Sequence, residues 1–170
     1  MKLQDLFEDQ NPGTYAAIRF SRKTTSQLAK YIKDNDIPNA VNTSKMHCTL
    51  LYSRKPCPDY VAQGNLSPAW IGTPVGLDVW ESKGDPEKVA RCLVLEFECK
   101  ELDDRHAELM KEHKATHDFP DYKTHVTLSY DIGDMDESKL PDITKAVDEL
   151  KIISEYGADL DLNWSKKVTK

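Results

Sequence analysis

The chain has 170 residues, 39% of them hydrophobic and 31% charged, with 23 Lys and Arg set against 29 Asp and Glu for a formal net charge of −6. That is one domain's worth of chain, long enough to bury a sizeable core. Its acidic balance argues against a grip on long nucleic acid, where neutralising the phosphate backbone calls for a basic face.

No stretch reaches the length of a transmembrane helix, and the first residues lack the basic and apolar regions of a secretory signal. The four cysteines (Cys48, Cys57, Cys92 and Cys99) form no C-x-x-C pair. Reduced thiols in a cytoplasmic protein, with no membrane partner, are the expectation.

After a polar start ending in the turn signal Asn11-Pro12-Gly13, Tyr15 to Phe20 alternates as a strand. Ala16, Ile18 and Phe20 fall on the core side, and Tyr15 and Arg19 on the other. Thr24 to Asp34 repeats at helical spacing through Leu28, Tyr31 and Ile32, with Ser21 or Thr24 as cap, and Pro38 lies beyond its end. Residues 45–52 come next as K-M-H-C-T-L-L-Y, a strand. Residues 53–73 carry prolines and glycines without steady periodicity and read as a long loop. Residues 75–81 alternate as a strand with Val75, Leu77 and Val79 inward and Trp80 outward.

Val89 to Glu98 is an apolar strand, expected at the centre of the sheet. Residues 102–116 form a helix carrying His106 and His113, with His117 just beyond. His113 and His117 stand four apart, as zinc ligands can, but the H-E-x-x-H pattern is absent and no metal is expected. Residues 123–130 read K-T-H-V-T-L-S-Y, a second strand of the earlier kind. An acidic loop leads to Pro141, where Ile143, Ala146, Val147 and Leu150 recur at helical spacing. A last strand, residues 158–164, puts Leu160, Leu162 and Trp164 on one face, and residues 165–170 form a basic tail.

Two of these stretches are the same stretch. Both fit K-x-H-x-T-L-x-Y, and in both a strand, a helix and a loop come first. Phe20 to His47 is 27 positions, and Phe97 to His125 is 28. Alternation places Lys45, His47 and Thr49 on one face, and Lys123, His125 and Thr127 on the corresponding face of the second copy. It also places Tyr52 and Tyr130 on the apolar faces, with Cys48 and Val126. A duplicated strand–helix–loop–strand unit, related by an approximate two-fold, brings the two polar faces together across a cleft.

On these residues the chain resembles the two-histidine phosphoesterase superfamily. The H-C-T-L-L-Y-S-R-K-P segment resembles more narrowly the anti-CBASS phosphodiesterases of T4-like phages, which degrade the cyclic oligonucleotide signals of bacterial antiviral defence. The resemblance implies a single α+β domain over residues 1–170, two-lobed, with antiparallel sheets facing across a central cleft. It implies cleavage of 3′–5′ linkages in cyclic di- and trinucleotides without metal or other cofactor. His47 and His125 would be the acid and base, and Thr49 and Thr127 the donors to phosphate. Tyr15, Arg19, Lys45, Trp80 and Lys123 are the candidates to hold substrate. The rival activity is a 2′,3′-cyclic phosphodiesterase or ligase acting on RNA ends or 2′–5′ oligoadenylates. A nucleotide sponge is the rival outside catalysis, but it has no use for a matched histidine pair.

The chemistry suits the residues. Imidazole ionises near pH 6.5 and so can both give and take a proton, and hydroxyls placed beside phosphate stabilise charge that develops there.

Overall fold

The computed structural model describes residues 12–82, 87–117 and 121–160. They form an α+β structure of six antiparallel strands and two helices. The strands are β1 (Thr14–Phe20), β2 (His47–Ser53), β3 (Gly64–Glu81), β4 (Arg91–Glu98), β5 (His125–Ser129) and β6 (Leu150–Asp159), and the helices are α1 (Arg22–Asp34) and α2 (Lys100–His113). Across the sheet the order is β2-β1-β6-β3-β4-β5. The segments β1-α1-β2 and β4-α2-β5 thus stand at opposite ends, and each ends in an outer strand that carries a histidine motif.

The strands join in one sheet rather than two because β3 is 18 residues long and changes partner midway. Gly64 to Gly72 pairs with β6, and Thr73 to Glu81 pairs with β4. Gly72 sits at this changeover without a side chain, since a Cβ there would lie 2.7 Å from the Phe97 ring.

Each helix arises from its pattern. Ser21 caps α1, its hydroxyl accepting the Thr24 N–H at 3.2 Å, which stabilises a helix by about 1 kcal/mol. Thr24, Leu28, Tyr31 and Ile32 are the buried face, and sealing a side chain such as Leu28 from water contributes about 1.5–3 kcal/mol. The Thr24 hydroxyl also accepts the Lys151 N–H at 3.0 Å, tying α1 to β6. Helix α2 buries Leu102, Arg105 and Leu109, and ends where Lys114 turns into the left-handed region. One apolar cluster joins both helices to the sheet, and Phe20 meets Phe97 edge-on at 5.9 Å where the two halves touch.

Four expectations are corrected. The long loop is shorter, because residues 64–73 belong to β3; Pro68 falls where pairing with β6 lapses between Asn65 and Trp70, which a strand tolerates. The helix read from Ile143 to Leu150 is one 3-10 turn, Ile143–Lys145, followed by β6; the demand for a strand between β1 and β3 overrides a spacing that fits a helix. β6 and β3, not β4, hold the centre. Val75 points outward because it is the extra residue of a bulge between Pro74 and Gly76. Leu77 and Val79 do pack on the core. Trp164 and the tail lie outside the described residues.

Among the described residues one ion pair is buried. Arg105 of α2 donates through Nε and Nη2 to the two carboxylate oxygens of Glu155 on β6, at 2.8 and 2.9 Å, and Glu155 also accepts from the Tyr60 hydroxyl at 2.7 Å. Arg105 is 8% exposed and Glu155 1%. Removing one partner strands the other charge. Glu155→Gln is therefore expected to lower stability by about 3–5 kcal/mol, whereas replacing both residues by apolar ones costs far less. Urea unfolding of the three proteins checks this, and a loss below about 1 kcal/mol in Glu155→Gln would show the pair to be dispensable.

Candidate active site

Both histidines open their strands and are held alike. His47 Nδ1–H donates to the Lys45 carbonyl at 2.8 Å, and His125 Nδ1–H donates to the Lys123 carbonyl at 2.9 Å. Each imidazole thereby carries its proton on Nδ1, which leaves Nε2 as the unprotonated nitrogen of the neutral ring. β2 and β5 lie against each other, so the two rings share one region, and the charge of one is felt by the other. Burial holds the His125 pKa below the ordinary imidazole value, with a smaller lowering from His47. Burial likewise lowers His47, opposed by the bond to Lys45 and reinforced by the Arg19 guanidinium.

Several expected residues are brought to these rings. Arg19 is the cross-strand partner of His47. The Tyr15 hydroxyl and Thr49 Oγ1 are hydrogen-bonded at 3.0 Å, and the Tyr15 ring meets His47 edge-on at 6.4 Å. The Trp80 ring lies 4.2 Å from His125, held by an Nε1–H bond to Asp78 at 3.0 Å. Thr127 pairs with Val94, two residues beyond His125 in the chain. Lys45 and Lys123 precede their strands with exposed side chains, and their backbone carbonyls hold the two imidazoles.

Each motif also contains a bulge. In β2 the register with β1 shifts so that Leu50 is the extra residue, and in β5 the register with β4 shifts at Leu128. A bulge moves the residues after it to the other face. Tyr52 therefore does not lie on the apolar face; its ring meets Tyr15 edge-on at 6.4 Å. Tyr130 turns likewise, close enough to bear on Tyr15 and Tyr156. Two adjacent residues are buried at each bulge, Leu50 with Leu51 and Leu128 with Ser129, which strict alternation does not foresee.

Sequence reasoning missed Tyr156, whose ring receives the Arg19 guanidinium at 4.6 Å. It pairs with Ala17 on β1, close along the register from the pair of Tyr15 and Ala158. Burial raises the pKa of Tyr15, Tyr130 and Tyr156 above the ordinary phenol value, so all three hydroxyls stay protonated at neutral pH. The thiol of Cys48, fully buried between His47 and Thr49 in sequence, is pushed up to about 12 by burial and has no nucleophilic form near neutrality.

His113 and His117 do not form a pair. α2 ends at His113, which packs against Tyr60, while His117 accepts the Tyr52 N–H through Nδ1 at 3.2 Å. Among the described residues no three His, Cys, Asp or Glu side chains are grouped to hold a metal ion, and no helix is long and apolar enough to cross a membrane.

The site defined by this geometry is a paired-imidazole site with hydroxyl donors beside it, built on two matched strands. A family model described as Anti-CBASS protein Acb1 matches residues 12–167. The chain is 36% identical over 164 residues to the Anti-CBASS protein Acb1 of Acinetobacter phage Ac42, covering 96% of this chain and 99% of that one. It is 33% identical over 159 residues to that of Enterobacteria phage T4, covering 94% and 95%, and 32% identical over 160 residues to that of Salmonella phage S16, covering 94% and 96%. The chain belongs to the anti-CBASS Acb1 family.

Proposed function

We propose that the protein is a phosphodiesterase of the two-histidine kind, with two lobes facing across the cleft, that cleaves 3′–5′ linkages of cyclic di- and trinucleotides. By removing these signals in the host cytoplasm it would counter CBASS. The observation that carries this reading is the matched pair of imidazoles, each fixed through Nδ1 so that Nε2 is the nitrogen that exchanges protons.

The ribose 2′-OH attacks the adjacent phosphorus, the 5′-oxygen leaves, and a 2′,3′-cyclic phosphate forms. His47 takes the proton from the 2′-OH, since the Arg19 guanidinium beside it disfavours the charged ring. His125, with the Trp80 ring 4.2 Å from it, gives a proton to the leaving oxygen. Thr49 and Thr127 donate hydroxyl bonds to the non-bridging oxygens as charge builds on phosphorus. Water then opens the cyclic phosphate with the two imidazoles in exchanged roles. Tyr15, Trp80 and Arg19 supply faces and charge for bases and phosphates, and Lys45 and Lys123 add positive charge at the rim.

The test is incubation with cyclic dinucleotides, cyclic trinucleotides and 2′,3′-cyclic mononucleotides, with products separated by chromatography. Opening of the cyclic di- or trinucleotides supports the reading. Turnover of 2′,3′-cyclic mononucleotides alone would favour the rival action on RNA ends, and tight binding without turnover would favour a sponge. Because two imidazoles suffice as acid and base, cleavage is expected to continue unchanged in EDTA. Activity lost to the chelator and restored by a divalent ion would overturn the proposed chemistry.

A further inference from the structure

Among the described residues, the two histidine strands are held together by bonds other than a ladder. β2 and β5 are the two ends of the sheet order, yet they lie against each other. Away from the histidines, residues 39–41 link to the end of β5, with the Val41 N–H donating to the Leu128 carbonyl at 2.9 Å. At the histidine end the connections are side chains: the Cys48 thiol of β2 meets the His125 backbone, and a tyrosine reaches back to β2. Tyr122, three residues before His125, donates its hydroxyl to the Thr49 carbonyl at 2.8 Å, two residues beyond His47.

The Tyr122 ring is itself held. It stacks on His106 of α2 at 3.9 Å with 6° between the planes, and His106 Nδ1–H donates to the Leu50 carbonyl at 2.7 Å. His117 meets both rings edge-on and accepts the Tyr52 N–H. The exposed edge of β2 would otherwise leave backbone groups without partners in a partly buried place. Instead Thr49, Leu50 and Tyr52 are each bonded by a side chain from α2 or from the stretch ahead of β5. Burial keeps the Tyr122 hydroxyl protonated, and so a donor, across the neutral range.

We propose that Tyr122 is a positioning residue: stacked on His106 and bonded to the Thr49 carbonyl, it fixes the gap across which the two imidazoles act. The inference rests on the two-histidine reading above. The gap must admit one phosphate with each Nε2 in reach of its oxygen, and a misplacement of about 1 Å costs on the order of 10²-fold in rate. Tyr122 itself does not touch the reacting atoms.

The experiment is Tyr122→Phe, with His106→Ala as a second variant that keeps the hydroxyl but removes the stacked ring. For Tyr122→Phe, kcat on a cyclic dinucleotide is expected to fall about 10- to 100-fold with KM changed less than about threefold, since phosphate and base contacts remain. NMR titration of the His125 ring, without substrate, supplies a readout independent of activity. His47→Ala should raise the His125 pKa by removing the neighbouring charge, and Tyr122→Phe should raise it part of the way as the rings separate. His106→Ala should do the same to a lesser degree. A His125 titration unmoved in both variants, or a kcat within twofold of the parent in Tyr122→Phe, would overturn the proposal. If the parent protein cleaves none of the cyclic oligonucleotides, the functional reading fails, and the titration still decides whether Tyr122 sets the gap.

Discussion

His47→Ala and His125→Ala are each expected to lower turnover of a cyclic dinucleotide by two or more orders of magnitude, the usual loss when a general acid or base is removed. The double variant should fall little further, because both groups serve one transition state and their effects are far from multiplicative. Neither ring anchors the core: both are half-buried. Unfolding temperatures should therefore stay within a few degrees of the parent's. The shifts set the pH dependence. Burial lowers both pKa values, so the ascending limb of kcat/KM, where the base loses its proton, lies below about pH 6.5. The descending limb, where the acid loses its proton in the free enzyme, is displaced in the same direction. Near-normal turnover in either single variant, or a bell centred well above neutrality, would remove these histidines from their roles.

Replacing the ribose at the scissile linkage by 2′-deoxyribose is expected to abolish cleavage while leaving binding within about tenfold. The site offers no protein nucleophile of strength. The Cys48 thiol is fully buried with its pKa at about 12, and the Thr49 hydroxyl is bonded to the Tyr15 phenol, not to a base. The attacking oxygen then comes from substrate or water, and an adjacent 2′-OH carries a large advantage of proximity. A timed digestion of the ribose compound should show a 2′,3′-cyclic product that rises and falls ahead of the 3′-phosphate. A deoxy compound cut as fast as the ribose compound would mean that water attacks directly.

Much of the arrangement around these rings was legible in the sequence because its pattern is local. The alternation from Tyr15 to Phe20, the apolar run that became Arg91–Glu98, the helical spacing of Leu28, Tyr31 and Ile32, and the Ser21 cap are all decided by near neighbours. The features that escaped notice are decided by distant ones. The stretch from Gly64 to Thr73 is a strand because β6 offers it a partner, in spite of Pro68. Ile143 to Leu150 has the spacing of a helix and is drawn into a turn and a strand by the gap between β1 and β3. The paired bulges at Leu50 and Leu128 turn Tyr52 and Tyr130 toward Tyr15, and an inserted strand residue leaves no mark on composition. Tyr156 was overlooked because it lies on β6, outside both copies of the motif.

The changeover along β3 has a mechanical consequence. Among the described residues the β6 ladder and the β4 ladder share one strand, β3, and meet along its covalent chain between Gly72 and Thr73. Bending there twists a single strand and slides Phe20 over Phe97, while both ladders stay whole. Such a movement is resisted by the Arg105–Glu155 pair, which ties α2 to β6, by the Tyr122 hydroxyl and by the bonds from residues 39–41. The two halves thus share one continuous strand and are otherwise fastened to each other by side chains.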